Sequence, residues 1–192
     1  MRHRRYSELL ADRCDSVLSV DVSQRMIDIA CEGHARPNIS YQVRGLFDVT
    51  TERDSTFDAI LAMFVLHMFP SHEAALRHLK TLLAPGGHLI FMDKVARPDG
   101  LSRRYLYYVA VRDSLYLAVR RRVLRPALRE LRTRAHSSWI AHQFAYPGLP
   151  RTVLHAMYAD LLPGATIVDH RHACAVHWQA PSDKTGTGTT TT

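Results

Sequence analysis

The 192-residue sequence predicts an α/β fold: a doubly wound, mostly parallel sheet that closes in an antiparallel hairpin. Three observations carry this. Between residues 6 and 93, strand-length apolar runs alternate with stretches of helical period in the order β-α-β-loop-β-α-β. One run, AILAMFV at 59–65, is continuously apolar, as expected of a parallel strand buried on both faces. Near the C-terminus, two short strand-like runs follow Pro163-Gly164 and pair as a hairpin.

In chain order, residues 7–13 read as a short helix and SVLSV at 16–20 as a buried strand. Ser23 is placed to cap a helix over 24–32 whose apolar positions are Met26, Ile27, Ile29 and Ala30. Residues 39–43 are a second strand, and 59–65 the third. Ser71 caps a helix of Ala74, Ala75, Leu76, Leu79, Leu82 and Leu83, which is expected to stop at Pro85-Gly86-Gly87. Residues 88–92 form the next strand. A long arginine-rich helical stretch over 97–135, interrupted at Pro126, follows. Pro147, Gly148 and Pro150 mark a loop, 152–162 a helix, and 166–170 with 174–179 the hairpin strands. The expected organisation is a single domain over 1–180, with 97–149 as a basic helical insertion or lid, and a disordered tail over 181–192.

Hydrophobic residues make up 46% of the chain, enough to bury a real core. Cys14, Cys31 and Cys174 are odd in number and far apart, so neither a disulfide framework nor a paired metal site is indicated, and a cytoplasmic location is expected. The N-terminus lacks the apolar core of a secretory signal, and no stretch is long and apolar enough to span a bilayer. The net charge is +7, yet residues 97–135 alone carry eleven arginines against Asp99, Asp113 and Glu130, a local +8. The basicity belongs to one segment.

VLSVDVSQRMIDIA at 17–30, FDAILAMFVLHMF at 57–69, LKTLLAPGGHLIFMDKV at 79–95 and LLPGATIVDHRHACAVHW at 161–178 occur in this order. Together they resemble the second strand and helix, the fourth strand, the fifth strand with its preceding turn, and the closing hairpin of class I, Rossmann-like S-adenosylmethionine-dependent methyltransferases. Residues 6–95 carry most of the likeness, 150–180 a weaker share, and 97–149 almost none. The resemblance implies S-adenosylmethionine as cofactor, with Asp21 at the ribose, Gly45, Leu46 and Phe47 at the adenine, and Val22 and Met63 among the cofactor contacts. Physical chemistry agrees for Asp21: open α/β sheets bind ligands at the carboxyl ends of strands, where a carboxylate can accept both ribose hydroxyls. The alternative for Asp21 is a helix cap, and for Leu46 and Phe47 ordinary core packing. The sequence departs from the family where an acid often meets the adenine amino group: Gly45 stands there, with Asp48 three residues on. It also lacks the family's first strand and glycine-rich loop, since the first glycine is Gly33. The expectation is a gene start lying upstream or a fragment, because the remaining motifs are intact.

His67 follows the fourth-strand motif and has a free pKa suited to taking a proton, so it is the candidate catalytic base; the alternative is a structural histidine at a turn. The family's amino-methylase and cytosine-C5 motifs are absent, and no carboxylate lies between 59 and 72. A small organic acceptor, methylated on O, N or C, remains, and a nucleic-acid substrate is disfavoured. His170, His172 and Cys174 alternate as zinc ligands can, but the hairpin turn falls among them with no fourth ligand near, so no metal is expected. Tyr105, Tyr107, Tyr108 and Tyr116 interleave with the arginines of 97–135. That segment can be a substrate lid, a solvated basic face, a peripheral membrane contact or a nucleic-acid surface. The second hypothesis for the whole chain is a non-catalytic basic Rossmann-like remnant that binds a partner or nucleic acid through this segment.

Overall fold

The computed structural model describes residues 6–182. The chain divides into two compact units, residues 1–56 and 57–192. The expected disordered tail lies outside the described residues beyond position 182.

The first unit contains α1 (Tyr6–Ala11), β1 (Val17–Asp21), α2 (Gln24–His34), β2 (Ile39–Val43), a 3-10 turn (Leu46–Asp48) and α3 (Thr51–Asp54). β1 and β2 pair in parallel from Val17↔Ile39 to Asp21↔Val43, with α2 as their crossover. Ser23 caps α2 by accepting from the Met26 amide, and Ile27 and Ala30 face inward. Asn38 holds the end of α1 by donating to the carbonyls of Ala11 and Cys14, 2.9 and 3.0 Å away.

The second unit contains β3 (Phe57–Met63), a 3-10 turn (Leu66–Met68), α4 (His72–Thr81), β4 (Leu83–Lys94), α5 (Arg103–Arg120), α6 (Leu124–Ala135), α7 (Ser137–Ala145), α8 (Arg151–Leu161), β5 (Thr166–Asp169) and β6 (Ala173–Gln179). Its sheet has the order β3-β4-β6-β5, with β3 parallel to β4 and the β5-β6 hairpin antiparallel. Period-two alternation puts Leu89, Phe91 and Asp93 of β4 on one buried face, in register with Trp178, Val176 and Cys174 of β6. Leu76 and Leu79 of α4 and Leu154 and Tyr158 of α8 are also buried, and Tyr158 meets the Phe91 ring edge-on at 5.2 Å.

The α/β class holds, while several local expectations are corrected. The apolar run of β3 is half-buried or exposed rather than enclosed, because among the described residues β3 pairs only with β4. α4 ends at Thr81, and Leu83 already belongs to β4. Pro85-Gly86-Gly87 is an irregularity within the strand, between the pairs Phe57↔Leu83 and Ala59↔His88. The arginine-rich segment breaks at 121–123, where Arg122 has φ +52°, not at Pro126. Pro126 lies in the first turn of α6, where no helical amide donor is required. α7 was not foreseen, and its far end is stitched to β4. Val95 and Leu149 form an isolated parallel bridge, the Ala96 amide donates to the Leu149 carbonyl at 2.9 Å, and Gly148 turns the chain at φ +82°.

Two glycines give opposite expectations. A Cβ on Gly87 would lie 2.9, 3.0 and 3.2 Å from the carbonyl oxygens of Ala84, Phe57 and Asp58, whereas one on Gly33, in α2, would meet nothing within 4 Å. Gly87→Ala should therefore destabilise the fold by about 1–3 kcal/mol. Gly33→Ala should stabilise it by about 0.5–1 kcal/mol through helix propensity. Urea unfolding of the two variants reads both signs.

Candidate active site

In the first unit, the candidate cofactor residues gather at the carboxyl ends of β1 and β2. Asp21 is the last residue of β1, and its Oδ1 accepts from the Ser23 amide at 2.8 Å. The cap of α2 is Ser23, so Asp21 is not the capping residue, and its Oδ2 has no hydrogen-bond partner among the described residues. Val22 is 75% exposed beside it. Val22 Cγ1 lies 3.8 Å from where a Cβ on Gly45 would stand, so the two loops meet here. The Gly45 amide donates to Asp48 Oδ2 at 2.9 Å, which commits Asp48 to closing its own turn. Leu46 is half-buried, and Phe47 is 50% exposed. Arg44 braces this loop: it forms a bidentate pair with Asp54 at 2.6 Å and also donates to the Asp48 carbonyl. The Arg44 hydrogen bonds hold the Asp54 carboxyl down to about 2. An open hollow of about 440 Å³ lies at the opposite, amino ends of these strands, lined by residues such as Asp15, Asn38 and Ser40. It is away from the edge where such sheets take ligands.

The second unit carries a buried ionisable cluster at the carboxyl ends of β3 and β4. Met63 ends β3, half-buried and in register with Met92. The next residue, Phe64, adopts φ +55°, a left-handed conformation that costs about 1–2 kcal/mol for a residue with a side chain. That turn feeds the 3-10 segment carrying His67. His67 Nδ1 lies 2.5 Å from Asp93 Oδ1, which also accepts from the Lys94 amide at 2.8 Å. With Asp93 ionised, Nδ1 carries the proton and Nε2 is left with its lone pair. Asp93 is fully buried, and its Oδ2 lies 3.4 Å from His72 Nε2, an ion-pair separation too long for a normal hydrogen bond. Burial lowers the His72 pKa; Asp93 opposes that shift and His67 adds to it. His142 of α7 meets His67 edge-on at 6.4 Å, and burial, His67 and Lys94 all lower its pKa. Lys94 Nζ ties the same helix to β4 by donating to Gln143 Oε1 at 2.7 Å and to the Tyr146 carbonyl at 2.8 Å. Burial lowers the Lys94 pKa and Asp93 partly restores it. This arrangement can accept one proton at His67 and hold the resulting imidazolium against a buried carboxylate.

The structure thus brings Asp21, Val22, Gly45, Leu46 and Phe47 together in one unit and sets Met63 and His67 near each other in the other. Sequence reasoning did not find Asp93, His72, His142 or Lys94. Asp93 did leave a signal: it stands in phase with Leu89, Phe91 and Val95, where alternation demands an apolar residue. Of the alternating trio considered for a metal, Cys174 is buried and His172 Nε2 lies 3.2 Å from Tyr105 Oη. Among the described residues no group of His, Cys, Asp or Glu is arranged to hold a metal ion.

Residues 3–91 match the family described as Methyltransferase domain. Over 111 residues the chain is 29% identical to the uncharacterized protein YafE of Escherichia coli K12, covering 56% of this chain and 53% of that protein. The chain therefore spans about half the length of that relative. Among solved structures, it is similar to the N-methyltransferase NodS of Bradyrhizobium japonicum WM9 in complex with S-adenosyl-L-homocysteine. The TM-score there is 0.54 at 16% identity, covering 93% of this chain and 74% of that one. A DhpI–SAH complex gives a TM-score of 0.56 at 18% identity, covering 93% and 72%. These structural likenesses establish the Rossmann-like methyltransferase fold.

The Arg44–Asp54 pair predicts an acid-sensitive brace. A folded pKa of about 2, below the ordinary 3.8, means the stabilisation is fully present above about pH 4 and is lost as pH falls toward 2. Urea midpoints of the wild type and Asp54→Asn should differ most at pH 6 and converge over that window. A constant gap would show that the pair contributes no charge-dependent stability.

Proposed function

We propose that the chain is a class I, Rossmann-like S-adenosylmethionine-dependent methyltransferase that methylates a small organic acceptor on an O, N or C atom, a reading supported by the family match over residues 3–91 and by the shared fold. When bound, S-adenosylmethionine supplies an electrophilic methyl group and is released as a neutral thioether. The open Oδ2 of Asp21 suits the ribose hydroxyls, and it is the observation that carries the cofactor assignment. Val22, Leu46 and the exposed ring of Phe47 offer apolar surface to the adenine. Gly45 leaves room for close approach. Among the described residues no glycine-rich turn precedes β1, so nothing is assigned to the methionine end.

His67 Nε2 would take the acceptor's proton as the acceptor is methylated. Asp93 is its positioning residue: it selects the tautomer and balances the imidazolium. This poised pair, buried beside a strained turn, favours an enzyme over a non-catalytic module. A nucleic-acid substrate remains disfavoured, and a cytoplasmic location accords with three free cysteines, of which buried Cys174 has its pKa raised by desolvation. Among the described residues no helix is long and apolar enough to cross a membrane.

Asp21→Ala should weaken binding of S-adenosylhomocysteine by about 1.5–3 kcal/mol in titration calorimetry; an unchanged Kd would remove Asp21 from the ribose site. His67→Gln should leave that Kd alone and slow transfer of radiolabelled methyl into a responsive acceptor by roughly 10²–10⁴-fold. Equal rates would return His67 to a structural role.

A further inference from the structure

α5 buries one side and leaves the other without a partner among the described residues. Leu106, Ala110 and Ser114 face inward. On the opposite side, at spacings of three and four, stand Tyr108, Val111, Leu115 and Val119, exposed by 61, 47, 58 and 70%. The stripe is roughly 16 Å long. Beyond the break at 121–123, Leu124 and Leu128 of α6 are exposed by 70 and 60%. Apolar side chains are therefore presented to solvent across a helical hairpin whose inward contacts are already made.

The charges around them are lopsided. All three acids of 97–135 are consumed locally: Asp113 pairs with Arg112 and Arg134, Glu130 with Arg134, and Asp99 with Arg97. Arg103, Arg104, Arg120, Arg121, Arg122, Arg125, Arg129 and Arg132 are exposed and have no ion-pair partner among the described residues. They bracket the stripe at both ends and run along α6. Arg125, Arg129 and Arg132, with Leu128 and Thr133, line an open hollow of about 370 Å³. Tyr107 and Tyr116, exposed by 47 and 54%, add amphipathic rings beside the stripe.

We propose that the α5–α6 hairpin is a peripheral membrane contact that lays its apolar stripe on an anionic phospholipid surface, with the unpaired arginines taking the lipid phosphates. A second copy meeting this surface face to face would set like charges against each other. A nucleic-acid duplex would satisfy the arginines and leave the Leu115–Val119 stripe in water. An anionic bilayer answers both halves: apolar groups enter the acyl boundary while guanidinium groups stay at the headgroups.

Co-sedimentation of the full chain with extruded vesicles tests this independently of methyl transfer. Partition onto phosphatidylcholine mixed with phosphatidylglycerol should exceed that onto phosphatidylcholine alone by roughly tenfold or more, and should fall at high salt. Leu115→Ser with Val119→Ser, and separately the triple change of Arg120, Arg121 and Arg122 to Gln, should each lower it by roughly tenfold. Both variants change only outward side chains, and circular dichroism checks that the fold persists. Equal sedimentation with both vesicle types, or none, overturns the proposal, as do variants that bind like the wild type. So does a concentration-dependent dimer abolished by the Leu115/Val119 variant, which would assign the stripe to a second copy. Salt-sensitive binding to duplex DNA without vesicle binding would assign the arginines to nucleic acid.

Discussion

The second unit is organised around one carboxylate. Removing an ion from water costs several kcal/mol even after relaxation, so Asp93 is tolerable in the core only because its neighbours answer it. The Lys94 amide and His67 Nδ1 both reach Oδ1, and His72 faces Oδ2. Those partners come from the strand itself, from the turn after β3 and from the first residue of α4. One buried charge thus fixes the relative positions of three elements, and a substitution there disturbs all three together.

The same carboxylate shapes the electrostatics around it. Lys94 is depressed by burial and partly restored by Asp93, while His142 receives only lowering influences. Buried Tyr158 is pushed up by desolvation, with Cys174 and Asp93 adding to the shift, so it stays a neutral phenol. The position of His67 and the packing of the sheet draw on one interaction, which is how a carboxylate can sit where packing alone would call for leucine.

Much of this was legible in the residues. β2 matches its expected limits, β1 is shifted by one residue, and Ser23 and Ser71 cap the helices that their positions implied. The gathering of candidate residues at the carboxyl ends of β1 and β2 was readable because Asp21 and Gly45 lie in local motifs. The features that escaped are those set by distant parts of the chain. Half-burial of β3 depends on which strands flank it, a property no apolar run encodes. Pro126 suggested a helix break, yet a proline in a first turn removes no needed donor, and the actual break falls at left-handed Arg122. His142 comes from a segment without any family likeness, so only the folded chain could bring it to His67.

The bridge between Val95 and Leu149 has an evolutionary corollary. The whole excursion from 96 to 148 leaves β4 and returns beside its point of departure, so its two ends are already held together. The entropy of closing such a loop rises only slowly with its length. The closure entropy therefore changes little if this stretch is lengthened or shortened on its outer side, provided a glycine or equivalent turn still fits against the Lys94 carbonyl. Insertions on its outward side can therefore be absorbed while the strands and the buried carboxylate keep their places.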